Sequence, residues 1–384
     1  MKEKVKRITV SVTNDLVTDH RVHKVCTSLK NAGYEVTLIG RKLRKSPEVN
    51  REYKVRRMRL VFNRSFFFYA EYNIRLFFYL LFSRTDILLS NDTDTLVSNF
   101  LASKIRCKPL VFDAHEMFPE VPELVNRGFV KQFWTKIENW IFPKLKHSYT
   151  VCQSIADIYK DKYSIEMKVV RNIPFAITEN ITSDNSIKEK NEFKGKNELF
   201  PEHNDRYILL YQGAVNLGRG IEWVINTMPF LDEYVFYIAG DGDKMQEMQK
   251  QVTEMGISDR VKFLGRIPFE KLPAYTACAD IGISLLENRG LNYFYSLPNR
   301  IFDFIRKNIP ILATDFPEIR KIIEHYQIGE LVDDYSPAHL AATIRRMTAK
   351  GKNPEGFAKA NTELTWENEA NIVLKIVAEA ATKC

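Results

Sequence analysis

Short apolar runs alternate with amphipathic spans along the first half of the chain. The runs are rich in β-branched residues and predict strands, and the spans between them carry apolar residues at helical spacing. Strands separated by helices are typical of βαβ units, in which helices cover both faces of a parallel sheet. We therefore predict one doubly wound α/β domain over residues 1–173. Its predicted strands are Val5–Val12, Val36–Gly40, Val55–Val61, Ile87–Ser90, Leu110–Phe112, Tyr149–Cys152 and Lys168–Val170.

The alternation stops between Ile177 and Asp205, where the chain is polar and rich in Lys, Glu and Asn. We interpret residues 174–206 as an exposed linker or insertion. A second doubly wound domain is predicted over residues 207–352. Residues 353–384 contain a long amphipathic helix, Glu355–Ala381, and one option is that it packs back toward the first domain. The predicted strands of the second domain are Ile208–Tyr211, Val235–Ala239, Val261–Leu264, Ile281–Leu285 and Ile309–Ala313.

Doubly wound sheets bind ligands beyond the carboxyl ends of their strands. The cleft between the two predicted domains is therefore the expected site. The 384 residues are also too many for one typical core, which supports two domains.

Charge and cysteine content narrow the function further. The net charge of +8 favours anionic partners such as nucleotides or lipid phosphates. The five cysteines are scattered without a CxxC pair, which argues against a disulfide framework and against a zinc site. We find no apolar signal segment and no run of about 18 apolar residues, so we expect a cytoplasmic protein.

The stretch from Glu287 to Asp315 carries the most specific local pattern. Ser296 is predicted to cap a helix that has Pro298 at its start. The unpaired amides of a helix start suit a phosphate, and Asp303 lies about one turn further along. This arrangement would hold a nucleoside diphosphate, with the carboxylate on a ribose hydroxyl. The alternative is an ordinary capped helix packed on a sheet.

Glycines and arginines follow the predicted strands of the second half. Glycine permits close backbone approach to a ligand, and Arg219 could fork onto a phosphate. The alternative for Arg219 is a solvated side chain. Backbone groups at Gly265 and Arg266 could pair with a base edge. The other glycines at strand ends are Gly213, Gly240 and Gly242.

In the first half, His115 and Glu116 follow the predicted strand Leu110–Phe112. They are placed for hydrogen bonding or proton transfer at a sugar, although histidine is more often structural. The first βα connection is polar where a dinucleotide-binding protein would carry GxGxxG, which argues against a nicotinamide enzyme. We expect the acceptor side to contain Asp19, His20, Arg21 and Glu120.

Residues 62–82 concentrate aromatic side chains, with Arg64 and Arg75 among them. One interpretation is a patch that meets lipid headgroups at the inner membrane or a lipid-linked acceptor. The other is a helix buried against the sheet. Nucleic-acid binding is a minor option, because no recognisable motif accompanies these residues.

Taken together, these segments resemble the retaining family-4 glycosyltransferases of the GT-B fold, in particular bacterial surface-polysaccharide enzymes. The resemblance implies two Rossmann-like domains facing across a cleft, with the acceptor on the N-terminal side. The nucleotide-sugar would bind to the C-terminal domain. The matching segments are NDLVTDHRVHKVCTSLKNAGYEVTLIG, FDAHEMFPEVPEL, YQGAVNLGRG, FYIAGDGD, VKFLGRIPFEKLPAYTACADIGISLL and SLPNRIFDFIRKNIPILATDFPEI.

The resemblance also implies roles for single residues. Asp303 takes the place of the last Glu in the family pattern E-x7-E and would bind the ribose. Tyr295 stands where the first Glu is usual, which is a departure at the donor sugar. Ser296, Leu297 and Asn299 would supply phosphate-binding amides and a polar side chain.

The family segment G-R-x4-K-G aligns with Gly213–Gly220. Arg219 takes the Lys position, but Ala214 stands where Arg is usual, so one of two diphosphate cations is missing. Arg300 or Arg21 would have to substitute. In the other half, His115 matches the family histidine near the transferred sugar.

The implied activity is glycosyl transfer from a nucleoside-diphosphate sugar to an acceptor hydroxyl with retention at the anomeric carbon. The acceptor would be a glycan or a lipid-linked molecule in surface-polysaccharide or glycolipid assembly. We expect no metal, because no DxD motif follows a strand in the donor half, and we interpret the Asp92-Thr93-Asp94 triplet as a helix cap. The rival functions are a GT-B sugar-nucleotide 2-epimerase, a non-catalytic sugar-nucleotide-binding protein and a nucleic-acid binder.

Overall fold

The computed structural model describes residues 5–17, 19–120, 127–175, 199–200, 205–268 and 270–382. Most of the predicted linker, 174–206, lies outside these residues. The chain divides into two units, each with its own core. Unit 1 consists of the described residues up to Asn172 together with those from Trp366 onward, and unit 2 is Ile173–Thr365. The two parallel sheets confirm the predicted doubly wound α/β architecture.

Unit 1 is built on a seven-stranded parallel sheet with the order β3-β2-β1-β4-β5-β6-β7. The central strands β4 and β5 are buried along their whole length because helices cover both faces of the sheet. β3 ends at Met58, earlier than the predicted Val61. The strands are β1 (Arg7–Asp15), β2 (Glu35–Arg41), β3 (Lys54–Met58), β4 (Ile87–Asn91), β5 (Leu110–Ala114), β6 (His147–Thr150) and β7 (Lys168–Val169).

The helices of unit 1 divide between the two faces of its sheet. Val10 shares an apolar cluster with Val25 and Trp366, so the first and last helices cover one face. The next residue, Ser11, accepts a hydrogen bond from Asn99 on the opposite face. The helices are α1 (His20–Asn31), α2 (Ser65–Phe82), α3 (Thr93–Arg106), α4 (Gly128–Ile141), α5 (Gln153–Tyr163) and, from the end of the chain, α14 (Trp366–Thr382).

Unit 2 contains a six-stranded parallel sheet with the order β10-β9-β8-β11-β12-β13. Apolar clusters on its two faces bury every strand but the edge strands β10 and β13, which are only partly covered. The strands are β8 (Tyr207–Gln212), β9 (Tyr234–Ala239), β10 (Val261–Gly265), β11 (Ile281–Ser284), β12 (Ile311–Thr314) and β13 (Gly329–Val332). The helices are α6 (Ile221–Thr227), α7 (Met245–Glu254), α8 (Leu272–Ala277), α9 (Leu291–Phe294), α10 (Asn299–Arg306), α11 (Pro317–Tyr326), α12 (Pro337–Lys350) and α13 (Pro354–Glu363).

The prediction of one helix over Glu355–Ala381 is wrong, because the chain forms α13 and α14 with a break between them. Leu364 leaves the helical region with ψ of 73° and is buried in the core of unit 2. Trp366, two residues later, is buried in the core of unit 1. The helix breaks here because the chain passes from one core to the other.

None of the described helices combines the length and the apolarity that a membrane crossing requires.

Candidate functional site

The loops at the carboxyl ends of β8 and β9 lie against each other. The Gly213 N–H donates to Ala239 O at 2.9 Å, and the Gly240 N–H donates to Gly265 O at 2.8 Å. A Cβ atom on Gly240 would lie 1.8 Å from Gly213 O, so only glycine allows this approach. Gly213 itself has φ of 131°. At this edge of the sheet, backbone groups rather than side chains form the surface.

Two of the predicted residues at this edge interact mainly with their neighbours. Arg266 is 82% exposed, and its Nε lies 3.4 Å from Asp241 Oδ2. The Gly242 N–H donates to Asp241 Oδ1 at 2.8 Å. These contacts leave Arg266 on the rim of the glycine loops rather than within them.

Arg219 and Arg300 come together beside Gly213. Arg300 is buried, with its guanidinium carbon 4.2 Å from the centroid of the Tyr211 ring. Its Nη2 lies 3.4 Å from the place where a Cβ of Gly213 would stand. The guanidinium carbon of Arg219 lies 5.2 Å from the Tyr293 ring. Each arginine is thus held by an aromatic ring, Arg300 lies against Gly213, and Arg219 is close enough to act on the charge of Arg300.

The charge of this arginine pair is only partly compensated by the described residues, among which Tyr211 and Asp303 raise the pKa of Arg300. Arg300 Nη1 and Arg219 Nε are buried without a hydrogen-bond partner among the described residues. Burial lowers the pKa of Arg300, and the nearby positive charge of Arg219 lowers it further. Two cations close enough to repel each other favour an anion between or beside them.

Asp303 lies one helical turn into α10, and a hydrogen bond from Gln212 at the end of β8 holds its carboxylate. Gln212 Nε2 donates to Asp303 Oδ2 at 2.8 Å, and Gln212 Oε1 accepts from Thr276 Oγ1 at 2.8 Å. This chain orients the Gln212 amide, so its N–H₂ group points to the carboxylate. Asp303 is half-buried, so part of its side chain is open to solvent.

The predicted role of Ser296 is wrong in two respects. Pro298 is the N-cap of α10 and the helix begins at Asn299, with no side-chain cap. The Ser296 hydroxyl instead donates to Tyr293 O at 2.8 Å, and its amide donates to the same oxygen at 3.1 Å. Its N–H is therefore already used and is not a free phosphate donor.

The other predicted residues near this helix start have mixed environments. Leu297 packs against the apolar core of unit 2. Asn299 is exposed at the first position of α10, and Tyr295 is half-buried with its ring 5.0 Å from that of Phe294. Asn299 is thus the polar side chain of this set that solvent and a ligand can reach.

At the corresponding edge of unit 1, His115 is held between two carboxylates. Its Nδ1 lies 3.1 Å from Asp92 Oδ2 and its Nε2 lies 2.9 Å from Asp113 Oδ2. The His115 N–H also donates to Asp92 Oδ1 at 2.8 Å. Asp92, interpreted from the sequence as a helix cap, occupies the N-cap position of α3 but makes no side-chain cap. Its carboxylate serves His115 instead, and its φ of 58° is unusual for a residue with a side chain.

This arrangement determines the protonation of His115. Burial alone would lower its pKa, but Asp113 and Asp92 raise it by more, so the pKa lies well above its usual range. The imidazole is then an imidazolium whose two N–H groups both donate to carboxylates. Such a group is a fixed cation and a poor general base. The geometry therefore disfavours proton transfer by His115, and its ring N–H groups are committed to Asp92 and Asp113.

Arg21 has a structural role that the sequence did not predict. It is buried in unit 1, where Nη2 lies 2.8 Å from Asp113 Oδ1 and Nη1 donates to Val170 O at 2.9 Å. Arg21 and His115 together hold the pKa of the buried Asp113 at about 2, against the effect of burial. Because its guanidinium is committed to this ion pair, Arg21 cannot substitute for a diphosphate cation.

The remaining predicted residues of unit 1 are distributed along the same edge. Asp19 caps α1 by accepting from the Val22 N–H at 3.1 Å. Glu120 pairs with Lys131 at 2.7 Å. His20 is exposed at the start of α1, and Glu116 is half-buried beside His115. Asp19 and Glu120 thus serve local structure, and no contact joins them to His115 in the described part of the chain.

Several residues that shape these sites were missed from the sequence. Gln212, Tyr211 and Tyr293 orient the donor-side groups, and Asp92 orients His115. Gln212 and Asp92 both stand at the carboxyl end of a buried strand, which was the available signal. Within the described ranges, no three His, Cys, Asp or Glu side chains gather in a way that could hold a metal ion.

Comparisons with known proteins agree with this architecture. Residues 19–177 match the family model described as Glycosyltransferase Family 4, and residues 206–350 match the model described as Glycosyl transferases group 1. The sucrose-phosphate synthase structure from Thermosynechococcus elongatus aligns with a TM-score of 0.76 at 15% identity, covering 99% of this chain and 100% of that one. The Anabaena HepE complex with UDP-glucose aligns with a TM-score of 0.70 at 14% identity, covering 97% of this chain and 99% of the other.

Curated relatives match over shorter stretches. An α-D-kanosaminyltransferase from Streptomyces kanamyceticus is 26% identical over 148 residues, 38% of this chain and 37% of its own. The Campylobacter jejuni α-1,4-N-acetyl-D-galactosaminyltransferase that acts on a diNAcBac-PP-undecaprenol-linked glycan is 24% identical over 206 residues, 52% of this chain and 50% of its own. The chain thus spans half or less of the length of these two relatives. With both family models matched and both sheets in place, the chain belongs to the family-4 glycosyltransferases of the GT-B fold.

Proposed function

We propose that this protein transfers a glycosyl group from a nucleoside-diphosphate sugar to a hydroxyl of a glycan or lipid-linked acceptor. The observation that carries the proposal is the pair Arg219 and Arg300, two cations with unpaired buried nitrogens beside a glycine loop. Two adjacent positive charges match a diphosphate better than a single carboxylate. Asp303, oriented by Gln212, lies in the same unit and suits a ribose hydroxyl.

On this proposal, different residues of unit 2 contact different parts of the nucleotide-sugar donor. Arg219 and Arg300 neutralise the diphosphate, and they stabilise the charge that develops as it leaves. The backbone at Gly213, Gly240 and the start of α10 approaches the phosphates. Gly265 and Arg266 lie toward the base, and Tyr295 and Asn299 toward the sugar. No metal is required in this scheme, since the arginines supply the positive charge.

His115 would lie near the transferred sugar as a fixed positive charge. Its ring nitrogens donate to Asp92 and Asp113, so its position is fixed before substrate arrives. We further propose retention at the anomeric carbon, with the leaving phosphate accepting the acceptor proton. That assignment follows from the family resemblance, and the imidazolium state of His115 supports a base other than this histidine.

We propose a role in surface-polysaccharide or glycolipid assembly at the cytoplasmic face of a membrane. Relatives named for lipid-linked acceptors support it, among them the Campylobacter jejuni enzyme above and an α-monoglucosyldiacylglycerol synthase from Streptococcus pneumoniae, 25% identical over 203 residues. The segment 62–82 would lie against the lipid, because it leaves Phe66, Phe67 and Phe82 exposed.

The test begins with a thermal-shift panel of UDP, GDP, CDP and dTDP and their sugars. A true donor at ~100 times its dissociation constant should stabilise the protein by about 2.7 kcal/mol. Nucleoside diphosphate should then be released only when an acceptor is present. Conversion of the sugar-nucleotide without an acceptor would indicate an epimerase, and binding without any turnover would indicate a non-catalytic protein. Either result would contradict the proposal.

The first prediction concerns Arg219. Arg219→Ala should raise the barrier to transfer by about 2–4 kcal/mol, because one charge-assisted contact to the leaving diphosphate is lost. Steady-state kcat/KM measures this. Arg346→Ala is the matched control, since Arg346 is 57% exposed on α12 and has no proposed role in the site. Equal turnover by the two variants would remove Arg219 from the site.

A further inference from the structure

One face of unit 1 leaves an unusual number of large apolar side chains in contact with solvent. Helix α2 buries a single stripe, Phe68, Tyr72, Leu76 and Leu80, and its outer side remains apolar. Scattered exposed apolar residues are normal, but a group of this size on one face is typical of an interaction surface. We call it the aromatic face, and it consists of Phe66, Phe67, Ile74, Phe78, Phe82, Leu101, Ile105, Phe129, Phe133 and Trp140.

Side-chain contacts connect the three helices of the aromatic face. The rings of Phe66 and Phe133 are 6.0 Å apart and join α2 to α4. The rings of Phe100 and Trp140 are 5.6 Å apart and join α3 to α4. Arg106 donates to Leu80 O and ties the end of α3 to the end of α2. The aromatic face is therefore continuous across α2, α3 and α4.

A pocket of about 340 Å³ opens at one end of this face, at the amino ends of β5 and β6. This is the edge of the sheet opposite to the one that carries His115. We call it the lysine pocket, after Lys104, Lys108, Lys144 and Lys146 in its lining. The described residues that line it include no carboxylate.

Two lysines of this pocket lie beside the same aromatic ring, and little negative charge faces the set. Lys104 Nζ lies 5.3 Å and Lys144 Nζ 5.9 Å from the centroid of the same ring, that of Phe100. Lys144 Nζ is also 5.4 Å from the Trp140 ring. Among the described residues, the nearest carboxylate contact of the set is that of Lys108 with Asp86, at 3.9 Å. Converging ammonium groups with this little compensation favour a bound anion.

We propose that the lysine pocket binds the phosphate of an anionic phospholipid while the aromatic face lies in the interface of the bilayer. The pocket supplies the charge, and the adjoining Phe82, Ile105 and Trp140 supply apolar and interfacial contacts. A free phosphate ion would use the lysines and leave those side chains in water. Binding of lipid needs neither donor nor acceptor, so this proposal stands or falls separately from glycosyl transfer.

The test measures binding of the full chain to vesicles of phosphatidylcholine alone and to vesicles that also contain phosphatidylglycerol. Wild type should prefer the anionic vesicles. Lys144→Gln with Lys146→Gln should weaken that binding about 25-fold, because each basic group at an anionic surface contributes about fivefold. Phe82→Ser with Ile105→Ser should weaken binding as well. Lys30→Gln with Lys375→Gln, on the helices of the opposite face, should bind like wild type.

Three outcomes would overturn the proposal. The first is equal binding to the two kinds of vesicle. The second is wild-type affinity in the Lys144/Lys146 variant. The third is a calorimetric titration in which inorganic phosphate binds to the lysine pocket while anionic vesicles do not, which would assign the pocket to a soluble anion. All the substituted side chains are at the surface, so an unchanged unfolding temperature confirms that the variants are folded.

Discussion

Arg300 is a buried positive charge that Asp303 and Tyr211 compensate only in part, and its Nη1 has no hydrogen-bond partner among the described residues. Burying a charge is costly, and the nearby Arg219 adds repulsion. In the free protein this pair therefore reduces stability, and a bound diphosphate would convert the same charges into favourable contacts. Arg300 thus favours binding of a diphosphate but lowers the stability of the free protein.

We expect Arg300→Met to have opposite effects on the two properties. The free protein should become more stable, by about 1–4 kcal/mol, because a buried and only partly compensated charge is replaced by an apolar chain of similar length. Affinity for the nucleoside diphosphate should fall by about 1.5–3 kcal/mol, the contribution of a charged hydrogen bond. Thermal unfolding and isothermal titration measure these quantities.

Arg346→Met, at an exposed position of α12, is the control for Arg300→Met and should change neither quantity appreciably. A destabilised Arg300→Met protein with unchanged nucleotide affinity would mean that Arg300 is a packing residue.

His115 should make stability depend on pH. Its folded-state pKa lies well above the ordinary value of 6.5, so its contribution is fully present below pH 6.5 and is lost as pH rises through the folded pKa. The difference in unfolding free energy between wild type and His115→Asn should therefore shrink on the alkaline side. Urea unfolding from about pH 5.5 to about pH 9 measures it.

A second variant separates the causes of this pH dependence. Asp92→Asn removes one of the two carboxylates that raise the pKa of His115, so the loss of stability should be smaller and complete at a lower pH. A difference between wild type and His115→Asn that stays constant with pH would show that the imidazole is not held as a cation.

Single residues differed in how well the sequence predicted them. Asp303 and Arg219 follow from their positions relative to strands, and the structure places both at the carboxyl edge of unit 2. Ser296 could not be predicted in the same way. Its hydroxyl has two acceptable partners, the helix amides and the carbonyl of Tyr293, and the choice depends on the path of the loop. Arg21 was misjudged because sequence alone does not show which charges are buried.

At the scale of elements, alternation of apolar and polar spans predicted most strands because a buried parallel strand must be nearly all apolar. Strand β13, Gly329–Val332, was missed because it lies at the sheet edge and is only partly buried. The outer side of α2 was also undecidable from its sequence. A helix that is apolar on every side looks the same whether it is fully buried or half exposed.

Helix α14 provides an element-scale prediction through Trp366. The indole is buried and its Nε1 donates to Ser28 Oγ at 2.9 Å, joining α14 to α1. Trp366→Ala should reduce the free energy of unfolding of unit 1 by about 3–5 kcal/mol, because a large cavity and an unpaired hydroxyl remain. Denaturant unfolding measures this loss.

Phe129→Ala is the comparison for Trp366→Ala. That ring is 86% exposed, so its removal should change stability by less than about 0.5 kcal/mol. Similar losses in the two variants would contradict the assignment of Trp366 to the core.

At the scale of the whole molecule, each unit has its own core, so unfolding should not be a single two-state event. The proposed donor contacts with the phosphates and ribose lie in unit 2. A nucleoside diphosphate should therefore raise the unfolding temperature of one calorimetric transition, and Trp366→Ala should lower the other. If the nucleotide and the substitution shift the same transition, the two units do not unfold separately.

Periodicity and composition left open where residues 353–384 pack, with the first domain as one option. The structure assigns α13 to unit 2 and α14 to unit 1, so unit 1 is assembled from two separated pieces of chain. Arg171 pairs with Glu369 at 2.7 Å within unit 1. In unit 2, Arg306 donates to the carbonyls of Pro174 and Leu364, at 3.3 Å and 2.7 Å. In each unit, these contacts hold both chain segments that connect it to the other unit.

This discontinuity has a consequence for synthesis on the ribosome. When the first 172 residues have emerged, the sheet of unit 1 still lacks the helix that covers Val10, Val111 and Tyr149. That groove stays open to water until nearly two hundred further residues have been translated. During this interval the nascent chain presents an apolar surface to chaperones and to other unfinished chains. Unit 1 therefore receives its last helix, α14, only after all of unit 2 has been translated.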